Sequence, residues 1–115
     1  MITKAAGGFT VALELQAPSA QADSAVIGRR TLDKQFLGDL QAVGCGEMLS
    51  VMTAVDGSMA YVALEKVTGS LAGRHGSFVL QHASQMIRGK PFQSIRVVPD
   101  SGTDELRGLE GEMRI

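Results

Sequence analysis

The sequence predicts an all-β fold, an antiparallel meander β-barrel of about seven to eight strands, in one domain spanning residues 1–115. Three observations predict it. Apolar residues recur at every second position in several segments. Turn signals interrupt the chain at short intervals. No window carries the sustained i, i+3, i+4, i+7 stripe of an amphipathic helix.

The first element is Phe9-Thr10-Val11-Ala12-Leu13-Glu14-Leu15-Gln16, in which Phe9, Val11, Leu13 and Leu15 alternate with smaller or polar residues. That period of two makes a half-buried strand. The small and polar run from Ala17 to Ser24, containing Pro18, reads as a surface loop. A second strand is expected from Ala25 to Phe36, with Leu32, Lys34 and Phe36 on one face, ending at the turn signal Gly38-Asp39. After Gly44-Cys45-Gly46, the runs Glu47–Thr53 and Met59–Thr68 flank Asp56-Gly57 and predict a hairpin.

A turn at Leu71–Gly76 leads into the strand Ser77–His82, which Arg88-Gly89-Lys90-Pro91 closes. Ser94–Val98 is the sixth strand, broken by Pro99-Asp100-Ser101-Gly102. Thr103–Leu106 is expected to form one helical turn and Leu109–Ile115 a last strand. In the run Met59–Val67, Val62 and Leu64 face opposite to Tyr61, Ala63 and Val67, so a one-sided sheet would leave one apolar set wet. A barrel with an oligomer contact on its outside buries both, which makes a homo-oligomer, with a dimer favoured, the expected state.

Composition excludes several functions. Eleven basic and twelve acidic side chains give a net charge of −1, the basic residues are scattered with only Arg29–Arg30 adjacent, and aromatic residues make up 4%. A nucleic-acid groove needs clustered cations and stacking platforms, so no nucleic-acid partner is expected. No stretch reaches membrane-span length and the N-terminus lacks a signal-type apolar run, so no membrane partner and a cytoplasmic location are expected. Cys45 is alone, which rules out an intrachain disulfide or a cysteine-rich zinc site, and His75 and His82 form no ligand motif. No metal and no cofactor are predicted.

The segment Tyr61-Val62-Ala63-Leu64-Glu65-Lys66-Val67-Thr68-Gly69-Ser70-Leu71, with Gly73-Arg74 and Gly76-Ser77-Phe78-Val79-Leu80-Gln81-His82 after it, resembles the central signature of the domain-of-unknown-function family 3224. Gly46-Glu47-Met48-Leu49 before it, and Val97–Leu106 with Gly108-Leu109 after it, are similar to that family's flanking motifs in order and spacing. The resemblance implies an allene-oxide-cyclase-like barrel, related to lipocalin-type barrels, with a small interior cavity. It implies no reaction. The family pattern continues past the position of Ile115 into a final hairpin strand, so the expected barrel is one strand short and has an exposed edge.

Glu47, Glu65 and His82 stand out as polar residues in or beside apolar strands. An odd hairpin loop centred on Asp56 would set Glu47 across from Glu65 as a carboxylate pair able to share a proton. A two-residue loop would instead set Glu47 against Lys66 as an ordinary ion pair, which is the structural alternative. An even loop at Leu71–Gly76 makes Glu65 and His82 neighbours, and an odd one substitutes Gln81 for His82. Glu65 and His82 are therefore the candidate catalytic residues, for proton transfer. Glu47, Tyr61, Glu65, Phe78, Leu80, Gln81 and His82 are the candidate ligand-binding residues, while Cys45 is taken as incidental.

The leading functional expectation is a barrel binding an unidentified small, mostly apolar molecule in its interior. The alternatives are an isomerase or cyclase using Glu65 and His82, and a protein-association module.

Overall fold

A computed structural model describes residues 3–19 and 26–115. Period-two alternation is realised as six strands: β1 (Gly7–Gln16), β2 (Ile27–Gly38), β3 (Leu40–Met52), β4 (Met59–Leu71), β5 (Arg74–Ile87) and β6 (Lys90–Val97). They form one antiparallel meander in the order β1-β2-β3-β4-β5-β6. The second strand begins at Ile27 rather than Ala25, and part of the loop predicted over 17–24 lies outside the described residues. The 3-10 turn at Asp104–Leu106 forms as expected.

Two expectations about strands change. β3 begins at Leu40, because Gly44 and Gly46 sit inside the ladder and do not end it. Both are close-approach positions: a Cβ on Gly46 would lie 2.8 Å from Glu65 Cα and overlap the Leu64 carbonyl oxygen. The expected last strand, Leu109–Ile115, contributes one antiparallel bridge, Arg96 to Glu112, along the outer edge of β6. Val97 N–H donates to the Gly111 carbonyl at 2.9 Å and Met113 N–H to the Ile95 carbonyl at 2.9 Å.

The sheet does not close into the predicted barrel, since β1 pairs with β2 alone and β6 with β5 and that short bridge. It does curl at one end. Phe9 from β1 and Leu109 and Met113 from beyond β6 pack on the same core, formed by Phe36, Ala42, Val67, Phe78, Leu80, Ile95 and Leu106. Beyond β6 the chain continues along β5, with Val98 N–H donating to Val79 and Thr103 N–H to Ser77, each 2.8 Å, so Leu106 is delivered into that end as a plug.

The registers sort the side chains into two faces. The concave face carries the rows Phe9–Phe36–Ala42, Val11–Lys34–Gly44–Val67–Phe78, Leu13–Leu32–Gly46–Glu65–Leu80 and Leu15–Arg30–Met48–Ala63–His82–Ile95. At the other end from Leu106, the β1 part of this face is uncovered: Leu13 is 52% and Leu15 71% exposed. The outer face carries exposed Leu49, Val62, Leu64 and Phe92. Apolar side chains on both faces of the central strands, as the sequence predicts, are thus present without the closure expected to cover one set.

Candidate functional site

The site is built on three neighbouring rows of the concave face. β4 projects Glu65 inward between Ala63 and Val67, β2 projects Lys34 between Leu32 and Phe36, and β5 projects His82 two residues after Leu80. Glu65 faces Leu80 directly, so His82 is its diagonal neighbour on the same side. Side chains reach across that diagonal readily. The Glu65 Oε1 atom accepts from Lys34 Nζ at 3.1 Å and from His82 Nε2 at 2.9 Å. A carboxylate oxygen can only accept, so the ring presents its Nε2–H toward Glu65.

All three groups are buried: Glu65 is 0%, His82 5% and Lys34 7% exposed. A buried charge is tolerated only when paired and hydrogen-bonded, and each ion supplies the other's partner here. Lys34 gains further compensation from two aromatic faces, its Nζ lying 5.0 Å from the Phe9 ring centroid and 5.7 Å from that of Phe36. One atom is left over. Glu65 Oε2 is the single buried side-chain polar atom without a hydrogen-bond partner among the described residues.

Oε2 lies over Gly44, where the missing side chain makes room for it: a Cβ there would overlap Oε2 and stand 3.0 Å from Glu65 Cδ. Chemically, a carboxylate hydrogen-bonded to an imidazole can pass a proton to or from a third group. Only a molecule reaching the slightly exposed edge of His82 would meet that chemistry.

The other predicted site residues divide sharply. Glu47 faces Leu64 and Thr31, on the outer surface, and pairs with Arg29; it faces neither Glu65 nor Lys66. The loop between Met52 and Met59 has six residues, so the register differs by one or two positions from either hairpin expected, and Glu47 turns away from the concave face. Gln81 also points outward, opposite Leu64, because residues 80 and 82 hold the inward positions. Phe78 and Leu80 face inward but are buried core, packed with Ile95 and Val67. Tyr61 faces inward near the open end, half-buried, with its hydroxyl accepting from Gln93 Nε2 at 3.3 Å.

Two residues of the cluster were missed by sequence reasoning. Lys34 announced itself as a cation alternating with Leu32 and Phe36 on an apolar row. Gly44 carried no signal, since its role depends on which side chain lies opposite. Cys45 is exposed on the outer face, 3.6 Å from the Asp33 carboxylate. The protein packed around its base and then the Asp33 carboxylate hold its thiol above the usual cysteine range, which suits an unreactive side chain.

Glu65 is sealed among its neighbours, with no surface of its own open to solvent. Two concavities of the described surface lie elsewhere. One, of about 280 Å³, is lined by Tyr61, Ser84 and Gln93 and by the outward-alternating Ala60, Val62, Ala83, Gln85, Phe92 and Ser94. The other, of about 430 Å³, runs between β6 and residues 112–115. Among the described residues no group of three His, Cys, Asp or Glu side chains is placed to hold a metal ion, and no helix is long and apolar enough to cross a membrane.

Comparison with known proteins agrees with the motifs around Glu65. Among curated proteins none matches the chain. A crystal structure of a protein of unknown function from the DUF3224 family of Shewanella oneidensis MR-1 is 48% identical, covering 96% of this chain and 86% of that one, with a TM-score of 0.88. The family model for proteins of unknown function DUF3224 matches residues 5–115. By that match and the shared fold, the chain belongs to the DUF3224 family.

Proposed function

We propose that the protein binds a small, mostly apolar molecule against the open end of its concave face, the sheet serving as the greater part of an allene-oxide-cyclase-like barrel wall. The observation that carries this reading is the inward row of β1. Val11, Leu13 and Leu15 point into the curve of the sheet, where apolar residues ordinarily form core, and they are exposed. Apolar surface gathered in a concavity gains about 25 cal/mol for each Å² that a ligand removes from water. Tyr61 and the edge of His82 are polar groups on that same face able to orient a ligand, and Glu65 with Lys34 holds the ring in place.

The uncharged dye N-phenyl-1-naphthylamine, which brightens in apolar surroundings, tests the reading. It is expected to brighten with the native protein and to lose about tenfold in affinity in Leu13→Asp, an exchange at an exposed position that leaves the core intact. Equal brightening by both proteins, or none with the native one, would count against it.

A second reading, association of two copies through the outer face, is favoured by the exposed Leu49, Val62, Leu64 and Phe92, which form one patch across β3 to β6. Contiguous apolar patches of several hundred Å² mark contact surfaces. Native mass measurement is expected to give a dimer that Val62→Glu dissociates; a native monomer removes this reading.

A further inference from the structure

We infer that the molecule bound on the concave face carries a carboxylate, and that Arg30 receives it. This rests on the apolar-ligand reading above and adds the ligand's polar end.

Three cations lie on β2, and their partners differ. Arg29 points outward and is bonded to Glu47. Lys34 points inward and is bonded to Glu65. Arg30 also points inward, on the row of Leu15 and Met48, and no carboxylate of the described residues lies within ion-pair distance of it. Its Nη1 donates to Ser50 Oγ at 3.2 Å, which fixes the guanidinium beside β3 at the open end.

A guanidinium has five N–H donors in a planar fork, and that fork fits a carboxylate's two oxygens. Among the described residues one serine hydroxyl uses one of them. Half-buried beside exposed Leu15, Arg30 is partly stripped of water, so an anion there faces less solvent competition than at an open surface. The cluster deeper in the fold does not supply a competing negative field, because the Glu65 carboxylate is matched by Lys34.

The surroundings of Arg30 are graded. Toward the rim the next row is Ser50, Tyr61, Ser84 and Gln93, hydroxyl and amide groups able to complete an anion's hydrogen bonds. In the other direction lie Leu15, Leu13 and Val11, whose span along β1 is about 13 Å, the length of roughly ten methylenes. A charged head at Arg30 with an apolar chain laid over β1 satisfies both ends at once. A cationic ligand would meet like charge, and a fully apolar one would cover Arg30 and strip its donors of water without replacing it.

Calorimetric titration of the native protein with decanoate and with decanol, below their aggregation limits, tests this. Decanoate is expected to bind at least tenfold more tightly than decanol, and raising the salt concentration should weaken decanoate alone. In Arg30→Met the tenfold preference should vanish with decanol unchanged, while Arg29→Met should keep it. The salt series needs no variant, so it tests the ligand's carboxylate even if Arg30→Met does not fold, and Arg30→Lys, which keeps the charge but loses the planar fork, then tests the residue by a reduced preference. Equal binding of the two compounds by the native protein, or an undiminished preference in Arg30→Met, would overturn the carboxylate assignment and leave the apolar-ligand reading standing. Binding of neither would overturn both.

Discussion

Replacing Lys34 by methionine is expected to destabilise the protein by about 3–5 kcal/mol, the usual cost of leaving one member of a buried ion pair behind. Methionine nearly matches lysine in volume and packs well between Phe9 and Phe36, so packing alone predicts a small change. The loss comes from Glu65. With 0% exposure and Oε2 already unpartnered, its carboxylate would keep only the His82 hydrogen bond in a site sealed from water.

The companion exchange separates charge from shape. Glu65→Gln alone removes the anion and strands Lys34, but in the Lys34→Met background it removes the last buried charge, and most of the lost stability should return. Urea unfolding of the four proteins measures the cycle, and the single Lys34→Met variant should fall in Tm by roughly 10–20 °C. A loss below about 1 kcal/mol in Lys34→Met would show that Glu65 is not held as a charged group by Lys34.

Gly46→Ala is expected to be as damaging, for a reason of backbone rather than charge. Its Cβ would overlap the Leu64 carbonyl oxygen and approach Glu65 Cα to 2.8 Å, both on the facing main chain, so no side-chain rotation relieves it. β3 and β4 would have to separate where the ladder positions Glu65, which places the cost above about 3 kcal/mol, among the severe point changes. Gly8 on β1 is the internal comparison. A Cβ there meets nothing within 4 Å, and Gly8→Ala should be neutral or stabilise by about 0.5–1 kcal/mol. If urea midpoints move equally in the two variants, the β3–β4 register described here is wrong.

Much of this fold was legible in the chain. Alternation in β1, β2 and β4 gave their faces, and Asp56-Gly57 and the Leu71–Gly76 turn placed two hairpins correctly in order. The site was half legible. Glu65 and His82 were recognisable as polar residues on apolar strands, and they do meet. Glu47 and Gln81 were misplaced because alternation gives a strand two faces without saying which face its partner shares. That depends on loop length, and the six residues between Met52 and Met59 admit more than one register.

The sequence by itself determined the strand class, the antiparallel order and the presence of polar side chains on apolar rows, because each is local: a period of two, a turn residue, a charge out of place. Only the tertiary structure decided that Lys34 rather than Glu47 completes the Glu65 cluster, that Gly44 makes room for Oε2, and that Arg29 and Arg30, adjacent in the chain, serve opposite faces. It also decided that the barrel stays open. Each of these depends on which strands lie opposite one another and how far the sheet curls, and no segment of the chain carries that information alone.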